Sequence, residues 1–282
     1  MSTSSTTSIE PHFRTLDGVK VRCADTGGSH EQVLVLTSPW PESIYAFAPM
    51  WETLSERARL VAVDLPGFGA SESRTDQLSP RAMGEFLVQL IDEMDLRRPH
   101  IVAPDVGCAA ALFAAGAHPT RIASLIVGHG GAAVPIALGE PLRSWVFEPD
   151  LEKFRAIDPH GFVNTAIDTI EGGIADDVRA DYLACYEGDR FVESMRYVRA
   201  YPQQLPELAE LLPQISTPVT LVNGRHDRVV PVANVEFLHG RLPNSRVEIM
   251  QAGHFAWEED PSRYASIVLD AIARHPRAGI PS

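Results

Sequence analysis

The chain has 282 residues, 45% hydrophobic and 22% charged, which is the composition of an ordinary globular protein and excludes wholesale disorder, collagen-like repeats and coiled coils. Against 24 Lys and Arg stand 37 Asp and Glu, a formal net charge of −13 that repels phosphate backbones and anionic lipid and argues against nucleic-acid or membrane partners. No stretch nears the roughly 18 consecutive apolar residues of a membrane span, and the polar start, Met1 to Ser8, lacks the apolar core of a secretion signal. Cys23, Cys108 and Cys185 are an odd number at wide spacings, which suits neither a disulfide framework nor a zinc cluster. The expectation is a cytoplasmic protein with no metal and no cofactor.

In chain order, residues 1–9 form a Ser/Thr tract expected to be a disordered tail. Phe13 to Leu16 and Val19 to Ala24 alternate and are joined by Asp17-Gly18, a hairpin dipeptide, so the chain should open antiparallel. Uninterrupted apolar runs follow at Val33 to Leu36, Leu60 to Val63, Ile101 to Ala103 and Ile122 to Val127, the pattern of strands buried on both faces of a parallel sheet. Between them lie helical patterns. In Arg81 to Met94 the residues Met83, Phe86, Leu87, Leu90 and Ile91 recur three and four apart.

This alternation predicts an α/β fold with a mostly parallel sheet flanked by helices. It stops after Gly131, and some seventy residues of helix and loop intervene before strand patterns resume at Val219 to Val222 and Val247 to Met250. A final amphipathic helix is expected near Tyr264 to Ile272. The predicted organisation is a core of residues 10–134 and 207–282, with residues 135–206 as a helical cap over the sheet.

Ligands of open α/β sheets bind beyond the carboxyl ends of the strands, and three such ends carry ionisable residues. Asp105 stands at the tip of Pro104-Asp105-Val106-Gly107-Cys108, where a strand runs into a helix of small residues. That is the layout of a nucleophile elbow with aspartate in place of serine, and a carboxylate needs no base to become nucleophilic. Asp is also a common N-cap, a use this position fits equally well. Asp227 follows the strand ending at Val222, and His254 follows the last strand. Separations of 122 residues from Asp105 to Asp227 and 27 from Asp227 to His254 give the order nucleophile, acid, histidine.

From Phe13 to the final helix the chain resembles α/β-hydrolases of the epoxide hydrolase and haloalkane dehalogenase group. The likeness is carried by Ser38-Pro39-Trp40-Pro41-Glu42-Ser43 against the group's oxyanion loop, by Asp64-Leu65-Pro66-Gly67-Phe68-Gly69, and by Ala252-Gly253-His254-Phe255. The resemblance implies attack by Asp105 on a saturated carbon to form an alkyl ester, followed by hydrolysis with water activated by His254 and oriented through Asp227. The backbone N–H groups of Trp40 and Val106 would hold the oxyanion. Gly67-Phe68-Gly69 lacks the third glycine of a phosphate loop. His129 stands where some relatives place their acid, a role a histidine cannot fill, so Asp227 remains the candidate.

By the same resemblance a cap tyrosine would assist the departing oxygen. Tyr197 is the expected donor, since it lies off the apolar stripe Phe191, Met195, Val198 and falls 30 residues before the acid. Tyr182, Tyr186 or the Trp145 indole could supply a second donor. The residue after the nucleophile is Val106 rather than a halide-binding tryptophan, and no arginine adjoins it, so both dehalogenase readings weaken. Trp145, Phe147 and Tyr186 are the expected substrate contacts, with Trp40 and Phe162 nearby, which suits a small hydrophobic or aromatic substrate. Epoxide hydrolysis to a vicinal diol is the expected activity. The alternatives are a haloalkane or haloacid dehalogenase, a lyase, or a silent ligand-binding member of the fold. Oligomeric state has no marker in the sequence.

Overall fold

A computed structural model describes residues 9–275. Eight strands form one sheet: β1 (His12–Leu16), β2 (Val19–Asp25), β3 (Val33–Thr37), β4 (Arg59–Val63), β5 (His100–Pro104), β6 (Ser124–Gly128), β7 (Val219–Gly224) and β8 (Ser245–Met250). Their spatial order is β1-β2-β4-β3-β5-β6-β7-β8; β2 runs antiparallel to both its neighbours, β1 and β4, and every other pairing is parallel. Asp17 and Gly18 both take positive φ, which turns the β1–β2 hairpin with the twist its strands require.

Every residue of β3, β5, β6 and β7 is buried, which explains why these strands read as unbroken apolar runs, while β1 at the edge is exposed along most of its length. The covering helices in chain order are α1 (Trp51–Ser55), α2 (Pro80–Glu93), α3 (Val106–Ala117), α4 (Leu142–Val146), α5 (Pro159–Ile167), α6 (Asp176–Ala184), α7 (Arg190–Arg199), α8 (Tyr201–Leu211), α9 (Ala233–His239), α10 (Ala256–Glu259) and α11 (Pro261–Arg274). In α2 the Ser79 side chain caps the first turn and Pro80 starts it, while Met83, Phe86, Leu87, Leu90 and Ile91 are buried as their spacing predicts. Helix α3 is buried from Val106 through Ala115, so its alanines and glycine permit close packing rather than mark a surface.

Helices α4 to α8 occupy the excursion between β6 and β7. Helix α8 runs straight across the expected boundary at residue 206 and packs on α2 and α3, so the segment has no break at that point. Arg22 on β2 fastens α6 to the sheet: its guanidinium bonds Asp64 at 2.6 Å and Asp181 at 2.5 Å, and Ser43 Oγ donates to Asp181 at 2.6 Å. Of the tail expected over residues 1–9, positions 1–8 lie outside the described residues, whereas Ile9 is buried against the core. No helix among the described residues is long and apolar enough to cross a membrane.

Candidate active site

Asp105 sits between β5 and α3 with φ 52° and ψ −120°, a region that costs a non-glycine residue about 1–3 kcal/mol. The surroundings hold it there. The Asp105 N–H donates to Gly128 O at 2.9 Å, and a Cβ on Gly107 would stand 2.2 Å from Thr37 Oγ1, so only glycine lets α3 start this close to β3. The carboxylate does not cap α3 at its second or third N–H, as an N-cap aspartate would. Its Oδ2 instead accepts the Trp40 N–H at 2.7 Å, and the Val106 N–H also bonds the carboxylate. Both amides expected to form an oxyanion hole therefore face the Asp105 carboxylate.

His254 and Asp227 complete the arrangement. His254 Nδ1 lies 2.9 Å from Asp227 Oδ2, and its Nε2 is 3.9 Å from Asp105 Oδ1. The Asp105 and His254 side chains keep 11% and 8% exposure and Asp227 none, so a small solute reaches the first two and not the third. Burial pushes the Asp105 carboxyl up to about 6, although His254 and the Trp40 and Val106 amides pull it back. Burial also works against a charged His254, but the adjoining Asp227 outweighs it and raises the imidazole above its ordinary value. For Asp227, burial is overcome by His254 and His129, which hold it well below the usual carboxylate range.

His129, weighed from the sequence only as a replacement for the acid, stands beside the acid instead. Its Nδ1 lies 3.1 Å from Asp227 Oδ2, the same oxygen that serves His254, and Asp227 Oδ1 accepts the N–H groups of Val229 and Val230 at 2.9 and 2.7 Å. Burial lowers the His129 pKa, so it is a neutral donor to the acid. It takes the rare value φ 53° just after β6, a conformation visible only in the structure. His129, Asp227 and His254 also form a cluster of metal-ligating types among the described residues, with ligand atoms within 4.8 Å of one another. Binding a cation through these atoms would sacrifice both hydrogen bonds to Asp227.

Above Trp40 the intervening helices build an aromatic roof. Phe162 and Phe191 lie 5.2 and 5.9 Å from the Trp40 ring, Tyr186 meets it edge-on at 6.3 Å, and Trp145 packs on Phe162 at 5.3 Å. Phe147 takes no part, being 58% exposed, which corrects its expected place among the substrate contacts. Tyr197 also departs from expectation. Its hydroxyl donates to Val106 O at 2.5 Å and is bonded by the Ala110 N–H, so it is spent inside the first turn of α3 and has no proton for a ligand. Tyr182 OH donates to Glu258 at 2.9 Å, and Tyr186 OH to Glu42 O at 3.4 Å.

Tyr201 differs from these three. It is buried at the start of α8, its ring lies against Gly131, and its hydroxyl makes no hydrogen bond among the described residues. Burial and the Asp105 charge raise its pKa well above the usual phenol value. Two indole donors also reach the roof: Trp40 Nε1 is committed to Ser194 Oγ at 3.1 Å, whereas Trp145 Nε1 has no hydrogen bond among the described residues. No Lys or Arg among the described residues pairs with Asp105, Asp227 or His254.

Residues 32–261 match the family model described as alpha/beta hydrolase fold. A 2-hydroxy-6-oxononadienedioate/2-hydroxy-6-oxononatrienedioate hydrolase 2 from Pseudomonas putida is 31% identical over 271 residues, spanning 88% of this chain and 90% of the relative. The correspondingly named hydrolase of Cupriavidus pinatubonensis (strain JMP 134 / LMG 1197) is 27% identical over 274 residues, 90% of each chain. The solved structure of the epoxide hydrolase CorEH without ligand superposes with a TM-score of 0.79 at 17% identity, over 95% of this chain and 99% of the other. That last likeness is one of fold.

Proposed function

The chain belongs to the α/β-hydrolase fold family, and within it we propose an aspartate-nucleophile hydrolase that opens epoxides to vicinal diols on neutral, hydrophobic or aromatic substrates. One observation carries this reading: a carboxylate, Asp105, occupies the strained elbow with Oδ2 held by the Trp40 amide, the Val106 amide beside the carboxylate, and Oδ1 turned toward His254.

Asp105 Oδ1 attacks an epoxide carbon, the carbon–oxygen bond breaks, and the electron pair leaves on oxygen, which takes a proton from Tyr201. A neutral donor is what that step needs, and the raised pKa keeps Tyr201 protonated. Trp145 Nε1 is the candidate second donor from the roof. His254 then removes a proton from water, and the resulting hydroxide adds to the Asp105 carboxyl carbon. The Trp40 and Val106 amides hold the developing oxyanion, each contributing on the order of 3 kcal/mol. The intermediate collapses, the diol oxygen leaves with the proton from His254, and the proton remaining on the Asp105 carboxyl returns through solvent to Tyr201.

The separation of 3.9 Å from His254 Nε2 to Asp105 Oδ1 supports this division of labour. A serine-type base must reach its nucleophile at about 2.6–3.2 Å, whereas here a water bonding both atoms fits the gap. The relatives are named for dioates, and no cation of this site pairs with its three catalytic groups, so a dicarboxylate would meet Asp105 uncompensated.

A single turnover of a neutral aryl epoxide in water enriched in heavy oxygen tests the reading. The first diol should carry no label, because its new oxygen comes from Asp105, and the label should appear in the Asp105 peptide. A labelled first diol with an unlabelled Asp105 peptide contradicts it.

A further inference from the structure

A second pair of acids lies behind the catalytic groups. Glu42 follows Trp40 by two residues, and Glu258 on α10 follows His254 by four. Glu42 has no exposure. One of its oxygens, Oε2, accepts the Trp257 indole N–H at 3.0 Å, and Glu258 Oε1 accepts the Tyr182 hydroxyl at 2.9 Å. The other two oxygens, Glu42 Oε1 and Glu258 Oε2, are sealed from solvent and have no hydrogen-bond partner among the described residues. The two acidic side chains lie within hydrogen-bonding reach of each other. Two carboxylates there would leave both oxygens unsatisfied, because ionised oxygens only accept, whereas one proton between them lets one acid donate to the other.

We propose that Glu42 is a neutral acid whose proton, donated to Glu258, latches the loop presenting the Trp40 amide to the turn presenting His254. Glu42 is thus a positioning residue, one that acts through Trp40 and His254. Three elements meet at the latch. The oxyanion loop brings Glu42, the histidine turn brings Trp257 and Glu258, and α6 brings Tyr182, while the Tyr186 hydroxyl bonds the Glu42 carbonyl. The Trp257 ring in turn packs on His254 at 6.0 Å and on His129 at 5.3 Å.

The groups facing Glu42 are Glu258, the Tyr182 hydroxyl beyond it, the Trp257 N–H and the Asp105 charge; no Arg or Lys among the described residues pairs with either acid. Burial and then the Glu258 charge raise the Glu42 pKa well above the usual range, in keeping with a proton retained at neutral pH. Loss of that proton at alkaline pH leaves two buried carboxylates in contact, which must separate and carry the two loops apart. The latch itself is independent of the reaction assigned above; only its effect on turnover rests on that reading.

The test compares wild type with Glu42→Gln and Glu42→Leu across alkaline pH. Glutamine keeps a donor for Glu258 and cannot ionise; leucine has neither property. Wild type should show an infrared carbonyl band of a protonated acid at pH 8, which E42Q removes, and its melting temperature should fall reversibly as the pH is raised. E42Q should lack that alkaline fall, and E42L should be destabilised at every pH. Absence of the band from wild type, or the same alkaline fall in E42Q as in wild type, overturns the proposal. Because both readouts are made without substrate, they stand whatever reaction the enzyme catalyses. With substrate, turnover by wild type should decline over the same alkaline range, and that of E42Q should not.

Discussion

His254 Nε2 faces Asp105 Oδ1 across 3.9 Å, too far for the two to share a proton and near enough for both to hold one water. The two half-reactions consequently depend on separate ionisations, and their pH profiles differ in a calculable direction. Ester formation needs ionised Asp105, so its rate rises with pH and levels off above about 6. Ester hydrolysis needs neutral His254, whose pKa lies above 6.5, so that limb rises at higher pH. Rapid-mixing measurements of burst and steady state should show the ester accumulating between the two limbs. One shared limb for both steps would contradict the separation.

Asp105 should cost the fold stability. Its pKa is raised from 3.8 to about 6, so the ionised form is disfavoured in the native state; the penalty is absent below about pH 4 and complete above about pH 6. Two pH units amount to about 3 kcal/mol, which is the stabilisation expected of Asp105→Asn at pH 8, together with loss of turnover. Urea titrations at pH 4 and pH 8 check the sign: the two proteins should converge at the lower pH.

The second imidazole on Asp227 makes His254 a weaker base than a single pair would, because the His129 N–H withdraws charge from the shared oxygen. Replacing His129 by Leu should move the His254 limb of hydrolysis to higher pH. His129→Asn should move it little, since asparagine tolerates positive φ and can donate to Asp227. An unchanged limb in the leucine variant would leave His129 a packing residue.

Tyr201 and Tyr197 should separate cleanly. Tyr201→Phe should slow epoxide opening by about 100-fold or more and change the melting temperature little, the scale of a lost general acid. Tyr197→Phe should instead destabilise by about 1–3 kcal/mol, since it strips a buried partner from the Val106 carbonyl. Stopped-flow alkylation and thermal melts of both variants give the comparison.

Much of this was legible in the sequence for a physical reason. Strands β3, β5, β6 and β7 are buried on both faces, so the chain spells them as apolar runs, and a parallel sheet collects their carboxyl ends, where Asp105, Asp227 and His254 wait in order. Side-chain commitments were not legible. The helical stripe in α7 set Tyr197 apart from Phe191, Met195 and Val198, yet that helix is buried on nearly every side, so lying off the stripe did not make Tyr197 available. Phe147 is apolar and adjacent to roof residues in sequence, but α4 ends just before it and leaves it outside. His129 was weighed only as a replacement for the acid, when its part is to donate to it.

The aspartyl ester is the central claim, and intact-protein mass spectrometry of His254→Gln tests it most directly, because without its base the ester should persist. Mixed with neutral aryl epoxides, the variant should gain the mass of one whole epoxide, located to Asp105 by peptide mapping. A mass equal to a haloalkane less hydrogen halide, from a parallel haloalkane panel alone, would move the leaving group to halide. No adduct from either panel, with wild type turning the same compounds over, would contradict the aspartate nucleophile.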